Sequence, residues 1–255
     1  MNYNKQHVAS HFGRAAHTYD NFAQLQRDIG GSLIERLPQQ GFDATADLGC
    51  GTGFFMPALK LRSKQLLGID LSPAMAHTAS LRSGQACLSS DAEHLAITDG
   101  SLDLVFSNLA LQWCNSLPTA LAEIHRCLNP GGYLAFSTLL SGTLGELHRA
   151  WAEIDQYPHV NRFISQSQYM DAIHSQPWGS ISFEVETRCL QYPSVFPLLQ
   201  ELKGIGANYV PGGRNGLTTA SQLKALNRSY ERVASNEDGM FEARYVVAYG
   251  VLRRD

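Results

Sequence analysis

The chain has 255 residues, 44% of them apolar and 17% charged, with a formal net charge of −3. This is ordinary globular composition with enough apolar material for a sizeable core, and the negative balance argues against nucleic-acid binding through overall charge. The five cysteines (Cys50, Cys87, Cys114, Cys127 and Cys189) form no Cys-x-x-Cys pair and the nine histidines no His-Glu-x-x-His cluster, so neither a disulfide framework nor a metal site is expected.

Residues 1–14 are polar, and no run approaches the roughly 18 apolar residues of a membrane span. The chain therefore reads as cytoplasmic, with no membrane partner. In chain order, the first forty residues read as two helices. Val8, Phe12, Ala15 and Tyr19 fall at helical spacing, as do Phe22, Leu25, Ile29 and Leu33. Gly30 and Gly31 weaken the second helix, and Pro38 followed by Gly41 ends it.

Strands and helices then alternate. Residues 44–50 form a strand entering a Gly-rich turn, with a helix over 54–60. A strand over 65–70 is followed by a helix opening at Ser72-Pro73, where Ser caps and Pro takes the first helical position. Further strands cover 86–91, 102–107 and 133–139, with a helix over 117–128 before the Asn129-Pro130-Gly131-Gly132 break. Repeated strand–helix–strand units imply a parallel sheet with helices on both faces. Later, 144–155 and 167–175 read as helices, and 182–190 and 243–253 as strands that pair antiparallel at a sheet edge. A helical insertion over 195–208 separates those strands.

The chemistry concentrates in Ala46-Asp47-Leu48-Gly49-Cys50-Gly51-Thr52-Gly53-Phe54. Three alternating glycines after a strand let the backbone turn tightly and let a ligand lie against main-chain N–H groups. A dinucleotide fold wants glycine at the sixth position of this turn; Phe54 stands there instead. An acid-led Gly-x-Gly-x-Gly turn resembles motif I of the class I methyltransferases. That resemblance implies S-adenosylmethionine as cofactor, with Asp47 near the methionine ammonium and Gly49, Gly51 and Gly53 making room for the nucleoside. Asp70, with Leu71 after it, ends the second strand where a carboxylate can accept both ribose hydroxyls. Asp91 and Ala92 follow the third strand, where the family brackets the adenine amino group. Asn108 and Leu109 follow the fourth, in the segment that passes under the sulfonium. The expected fold is one Rossmann-like domain. It has a seven-stranded, mostly parallel sheet with an antiparallel edge strand, a helical lid over 1–40, a cofactor core over 41–140, and a substrate side over 141–255 with helical insertions after strands five and six.

The match is closer than the superfamily. Phe12-Gly13-Arg14-Ala15-Ala16-His17-Thr18-Tyr19, Ser107-Asn108-Leu109-Ala110-Leu111-Gln112-Trp113-Cys114, Leu147-His148-Arg149-Ala150-Trp151, His159-Val160-Asn161-Arg162-Phe163 and Leu202-Lys203-Gly204-Ile205-Gly206-Ala207 resemble segments of the malonyl-acyl-carrier-protein O-methyltransferases of biotin synthesis. The resemblance runs over nearly the whole chain, with departures around 175–182 and 227–240. It implies methyl transfer to the free carboxylate of a malonyl thioester, leaving S-adenosylhomocysteine. That carboxylate is ionised at pH 7, with a reference pKa of about 4, and needs no general base. Tyr19, Arg162 and Lys203 are the candidates for orienting it. An acidic carrier protein must find a local basic surface on a chain of net charge −3; Lys203, Arg214, Lys224, Arg228 and Arg232 supply candidates. The rival readings are a methyltransferase of the same fold acting on another carboxylate, an amine or a quinone, and a non-catalytic cofactor-binding module. A nicotinamide dehydrogenase is disfavoured by Phe54.

Overall fold

A computed structural model describes residues 3–213 and 218–255. Seven strands form one sheet in the order β3-β2-β1-β4-β5-β7-β6: β1 (Phe42–Leu48), β2 (Ser63–Asp70), β3 (Ala86–Ser89), β4 (Leu102–Asn108), β5 (Leu128–Leu139), β6 (Trp178–Tyr192) and β7 (Phe241–Arg254). Strands β1 to β5 run parallel. Strand β7 lies antiparallel to both neighbours, pairing Leu139 with Val247 on one side and Tyr192 with Phe241 on the other. The long β6 is thus the edge strand on that side, with β3 at the other edge. The parallel strands share one direction, so all their carboxyl ends meet on one edge, where open α/β sheets bind ligands.

Ten α-helices cover the described residues: α1 (Lys5–Ala15), α2 (Tyr19–Phe22), α3 (Gln24–Glu35), α4 (Met56–Lys60), α5 (Pro73–Ser83), α6 (Leu117–Cys127), α7 (Gly145–Ala152), α8 (Gln166–Ile173), α9 (Val195–Gly204) and α10 (Ala220–Ala234). The sequence explains their starts. Asn4, Ser72, Ser116, Ser165 and Thr219 each accept a hydrogen bond from a first-turn N–H, satisfying one of the donors that a helix leaves unpaired. On one face of the sheet, Ile29, Leu33, Met56, Leu147, Leu198 and Tyr230 pack on Phe106 and Tyr249. On the other, Leu121, Ile124, Tyr169 and Ile173 pack on Val105, Leu134 and Phe136. Two apolar layers hold a central sheet, as buried parallel strands require.

Three departures from the sequence reading have physical causes. The first forty residues form three helices rather than two, because the chain turns at Ala16–Thr18 and restarts as the short α2. Gly30 lies inside α3 because a Cβ there would stand 2.1 Å from the Phe55 ring; helix propensity is given up for close helix contact. The late insertion holds two helices, and α10 was not anticipated. Its signals were present: Thr219 and Gln222 form a capping box, and Leu223, Leu226, Tyr230 and Val233 follow at helical spacing. Asn129–Gly132 does end α6, but as an irregularity inside β5. Leu128 pairs with Leu102, and after a register shift Tyr133 pairs with Leu104.

Candidate active site

The turn from β1 into α4 is built on glycines at positive φ: +75° at Gly49, +55° at Gly51 and +79° at Gly53. They serve different ends. A Cβ on Gly49 would stand 2.2 Å from the Ala110 methyl, and one on Gly53 3.0 Å from Ala79 Cα, so these two admit close packing. A Cβ on Gly51 would meet nothing within 4 Å; its left-handed backbone bounds open space instead. That open side, with the Gly51 N–H donating to Asp70 Oδ2 at 2.9 Å, is the cradle.

Two acids stand behind it. Asp47 is 2% exposed, and its Oδ2 has no hydrogen-bond partner. Burial, and then the neighbouring Asp70, push its carboxyl up to about 8. Asp70 is raised by burial to about 6, against the pull of the N–H groups of Ser72 and Gly51, which its two oxygens accept. A buried acid with a free oxygen beside a second acid is a site that gains from a cation. Asn108 accepts from Ser137 Oγ at 2.7 Å and donates to the Gln26 carbonyl at 2.9 Å, so both ends of its amide are held. Leu109 follows at φ +52°, a conformation costly for a non-glycine residue and typical of functional strand tips.

The N-terminal helices roof this edge through specific contacts. Lys5 bridges Asp91 (2.9 Å) and Glu93, and Glu93 also takes the N–H groups of Asn115 and Ser116. Burial opposes charge on Glu93, but Lys5 and those two N–H groups outweigh it and hold its carboxyl below the usual range. Asp91 further accepts from the Glu93 N–H at 3.1 Å; Ala92 is half-buried beside it, and Leu71 accepts from Ser89 Oγ at 3.2 Å. Asp47, Asp70 and Asn108 therefore gather at the glycine turn, with Asp91 and Ala92 farther out under α1. Asp20 accepts from Thr52 Oγ1 at 2.9 Å and pairs with Arg82 at 2.6 Å. Phe54, which in the sequence reads only as an obstacle to a dinucleotide, carries the guanidinium groups of Arg27 and Arg82 5.5 and 5.3 Å from its ring centre.

Beneath the roof, Tyr19, Asp20, Gln26 and Arg27 face Asp47, Gly49, Gly51 and Asn108 across a narrow pocket. Tyr19 and Gln26 also line a second cavity of about 150 Å³, walled by Phe12, Phe22, Leu109, Trp113, Phe163 and Leu202 among others. Gln26 Oε1 is buried with no partner. The Tyr19 hydroxyl is pushed upward by burial and by Asp70 and Asp20, which keeps it protonated. Among the described residues, no Lys or Arg lines this cavity. Arg162 is exposed and lines a separate open groove, and Lys203 is exposed on α9; neither stands with Tyr19. Gln26 escaped the sequence reading. Its only signal was a polar side chain next to the Leu25–Ile29–Leu33 stripe of α3.

A sheet of this order, with an antiparallel β7 and an acid-led glycine cradle at the end of β1, defines the class I methyltransferase fold. The YcgJ protein of Bacillus subtilis, 13% identical, superposes with a TM-score of 0.65 over 89% of this chain and 98% of its own. A putative methyltransferase from Bacillus halodurans does so at 15% identity and 0.65, over 88% and 98%. Residues 46–136 match the model of the methyltransferase domain family. The malonyl-[acyl-carrier protein] O-methyltransferases of Pectobacterium atrosepticum and Serratia marcescens are each 40% identical, over 100% and 99% of this chain and 98% and 97% of theirs. The biotin biosynthesis bifunctional protein of Cellvibrio japonicus is 40% identical over 97% of this chain and 50% of its own length. The chain belongs to the malonyl-[acyl-carrier protein] O-methyltransferase family.

Proposed function

We infer that the protein transfers a methyl group from S-adenosylmethionine to the free carboxylate of a malonyl thioester on an acyl carrier protein, in biotin synthesis. The observation that carries this reading is the wall shared by two spaces. Tyr19 and Gln26 face both the glycine-turn pocket and a largely apolar cavity that no Lys or Arg lines among the described residues. When bound, the cofactor supplies an electrophilic methyl on a sulfonium. Asp47, buried with a free oxygen, suits its ammonium, and Asp70 suits the ribose hydroxyls by exchanging its two N–H partners. Asp91 and Ala92 are assigned to the adenine edge, where adenine would compete with Lys5 for the carboxylate.

The acceptor arrives already ionised, at a reference pKa of about 4, so proton abstraction is not part of the step. What the chain must do is orient one carboxylate oxygen and exclude water. The protonated Tyr19 hydroxyl and the Gln26 amide are neutral donors suited to this. Neutrality matters because the acceptor's charge disappears as the methyl moves; a buried cation would hold the ground state more tightly than the transition state. Arg162 and Lys203, proposed from sequence for the same task, stand outside this cavity and are assigned to the outer parts of the substrate. Lys203, Lys224 and Arg228 are exposed and are assigned to carrier recognition. Arg232 is already engaged by Glu153, and Arg214 lies outside the described residues. No helix among the described residues is long and apolar enough to cross a membrane.

The test is mass spectrometry of malonyl carrier protein incubated with enzyme and S-adenosylmethionine. The expected result is a gain of one methylene mass, sensitive to mild ester hydrolysis. An unchanged mass, with the cofactor bound, overturns the assignment of substrate.

A further inference from the structure

Val160, Asn161 and His159 line two spaces at once: the cavity beside Tyr19, and an open groove of about 540 Å³ that also touches Trp151, Arg162 and Pro211. The wall between the two is firmly built. His159 stacks on Trp151 with ring centres 3.7 Å apart and planes 9° apart, and its Nε2 lies 2.8 Å from Asp155. Asn161 donates from Nδ2 to the Tyr209 carbonyl at 2.9 Å. A carbonyl can only accept, which fixes the orientation of the amide. Its Oδ1 is therefore the acceptor end, and it is buried with no partner. Such an atom carries a desolvation cost that a donor arriving with a ligand would remove.

We propose that this groove is the binding site for the arm of the thioester, with Asn161 Oδ1 accepting an amide N–H of a pantetheine-type arm and Arg162 meeting the phosphate at its far end. The inference rests on the methyl-transfer reading above and deepens it. The cavity is lined mostly by apolar side chains and a carrier protein cannot enter it, so the arm that carries the thioester must leave by an adjoining space. The groove adjoins it through the shared His159, Val160 and Asn161, and its lining offers groups that such an arm can use: the Asn161 amide acceptor, the Trp151 and Pro211 surface, and the exposed Arg162 guanidinium. Arginine suits a terminal phosphate by its fork of donors.

The test compares three malonyl thioesters with the intact enzyme and S-adenosylmethionine: the propyl thioester, which has no amide; the pantetheine thioester; and the 4′-phosphopantetheine thioester. In the wild type, KM should fall along that series, with about a tenfold step for the amide-bearing arm. Asn161→Leu should bring the propyl-to-pantetheine KM ratio to about one. Arg162→Ala, at an exposed position, should remove the further gain from the phosphate. Equal wild-type KM values for the propyl and pantetheine thioesters overturn the proposal, as does an Asn161→Leu effect of the same size on all three. Should Asn161→Leu not fold, the wild-type series and Arg162→Ala decide. A wild-type enzyme that binds the cofactor and methylates none of the three overturns the methyl-transfer reading itself, a result distinct from the loss of arm discrimination alone.

Discussion

Arg82 Nη1 lies 2.6 Å from Asp20 Oδ2 and 3.3 Å from Thr52 Oγ1. One guanidinium thus ties the N-terminal helices, the glycine turn and α5 together over the glycine-turn pocket. The pair is substantially exposed, with side-chain exposures of 37% and 42%, so its contribution to global stability is at most about 1 kcal/mol. Its effect should appear in kinetics. Arg82→Ala is expected to leave the melting temperature nearly unchanged and to speed dissociation of S-adenosylmethionine about fivefold, an effect worth about 1 kcal/mol. Stopped-flow measurement of cofactor release checks this; an unchanged off-rate would show that the roof is held elsewhere.

With Asp47 assigned to the cofactor's ammonium, cofactor binding is expected to depend on pH. Burial and Asp70 raise its carboxyl to about 8, whereas an unfolded Asp titrates at about 3.9. Between those values the native state holds a proton that the unfolded state has lost, so the ligand-free protein loses stability as pH rises through this window. A cationic cofactor favours the carboxylate, so binding releases a proton below pH about 8 and affinity rises from pH 6 towards that value. Calorimetry in buffers of different ionisation enthalpy counts the proton. Asp47→Asn should raise the ligand-free melting temperature at pH 8 by about 5 °C while weakening cofactor binding about a hundredfold. Lowered stability together with intact binding would remove Asp47 from the site.

Tyr19 and Gln26 separate positioning from packing. Tyr19→Phe keeps the ring on the cavity wall and removes only the hydroxyl, and Gln26→Leu keeps volume while removing the amide. Each is expected to lower kcat/KM for the malonyl thioester about tenfold, in line with loss of one buried donor, without changing cofactor affinity more than about twofold. Steady-state kinetics alongside cofactor titration checks both arms. If cofactor affinity falls in step with kcat/KM, the two residues belong to the roof alone.

The sheet was legible because its central strands β1, β4 and β5 are buried on both faces and bounded by glycines, prolines and caps. Asp47, Asp70 and the three glycines could be placed because they fall within one strand–turn–helix unit and its neighbour. Gln26, Asn161 and the Arg82–Asp20 contact could not. Each depends on contacts between segments tens of residues apart, and the sequence holds no local pattern for a buried amide oxygen without a partner. Arg162 and Lys203 show the converse: cations flagged by their segments, whose placement outside the cavity only tertiary structure determines. Helix α10 was missed for another reason, since its capping box and its Leu226–Tyr230 spacing lie between the insertion over 195–208 and the strand over 243–253, a stretch to which the sequence reading assigns no element.

The exposed face of α10 sets the last expectation. Lys224 and Arg228 stand one helical turn apart and are exposed, while Arg232, a turn further on, is held by Glu153 and by the Arg228 carbonyl. Charges that are free in the unbound protein attract an acidic carrier at long range; a cation already paired contributes much less to that field. Lys224→Glu with Arg228→Glu should therefore raise KM for malonyl carrier protein about tenfold and leave KM for a malonyl pantetheine thioester within about twofold. About 0.5 M salt should produce the same split in the wild type, because screening acts within a few ångströms at that strength. Arg232→Ala should shift carrier KM far less. Equal effects on carrier-borne and carrier-free substrates would place the role of these residues in folding of α10 rather than in recognition.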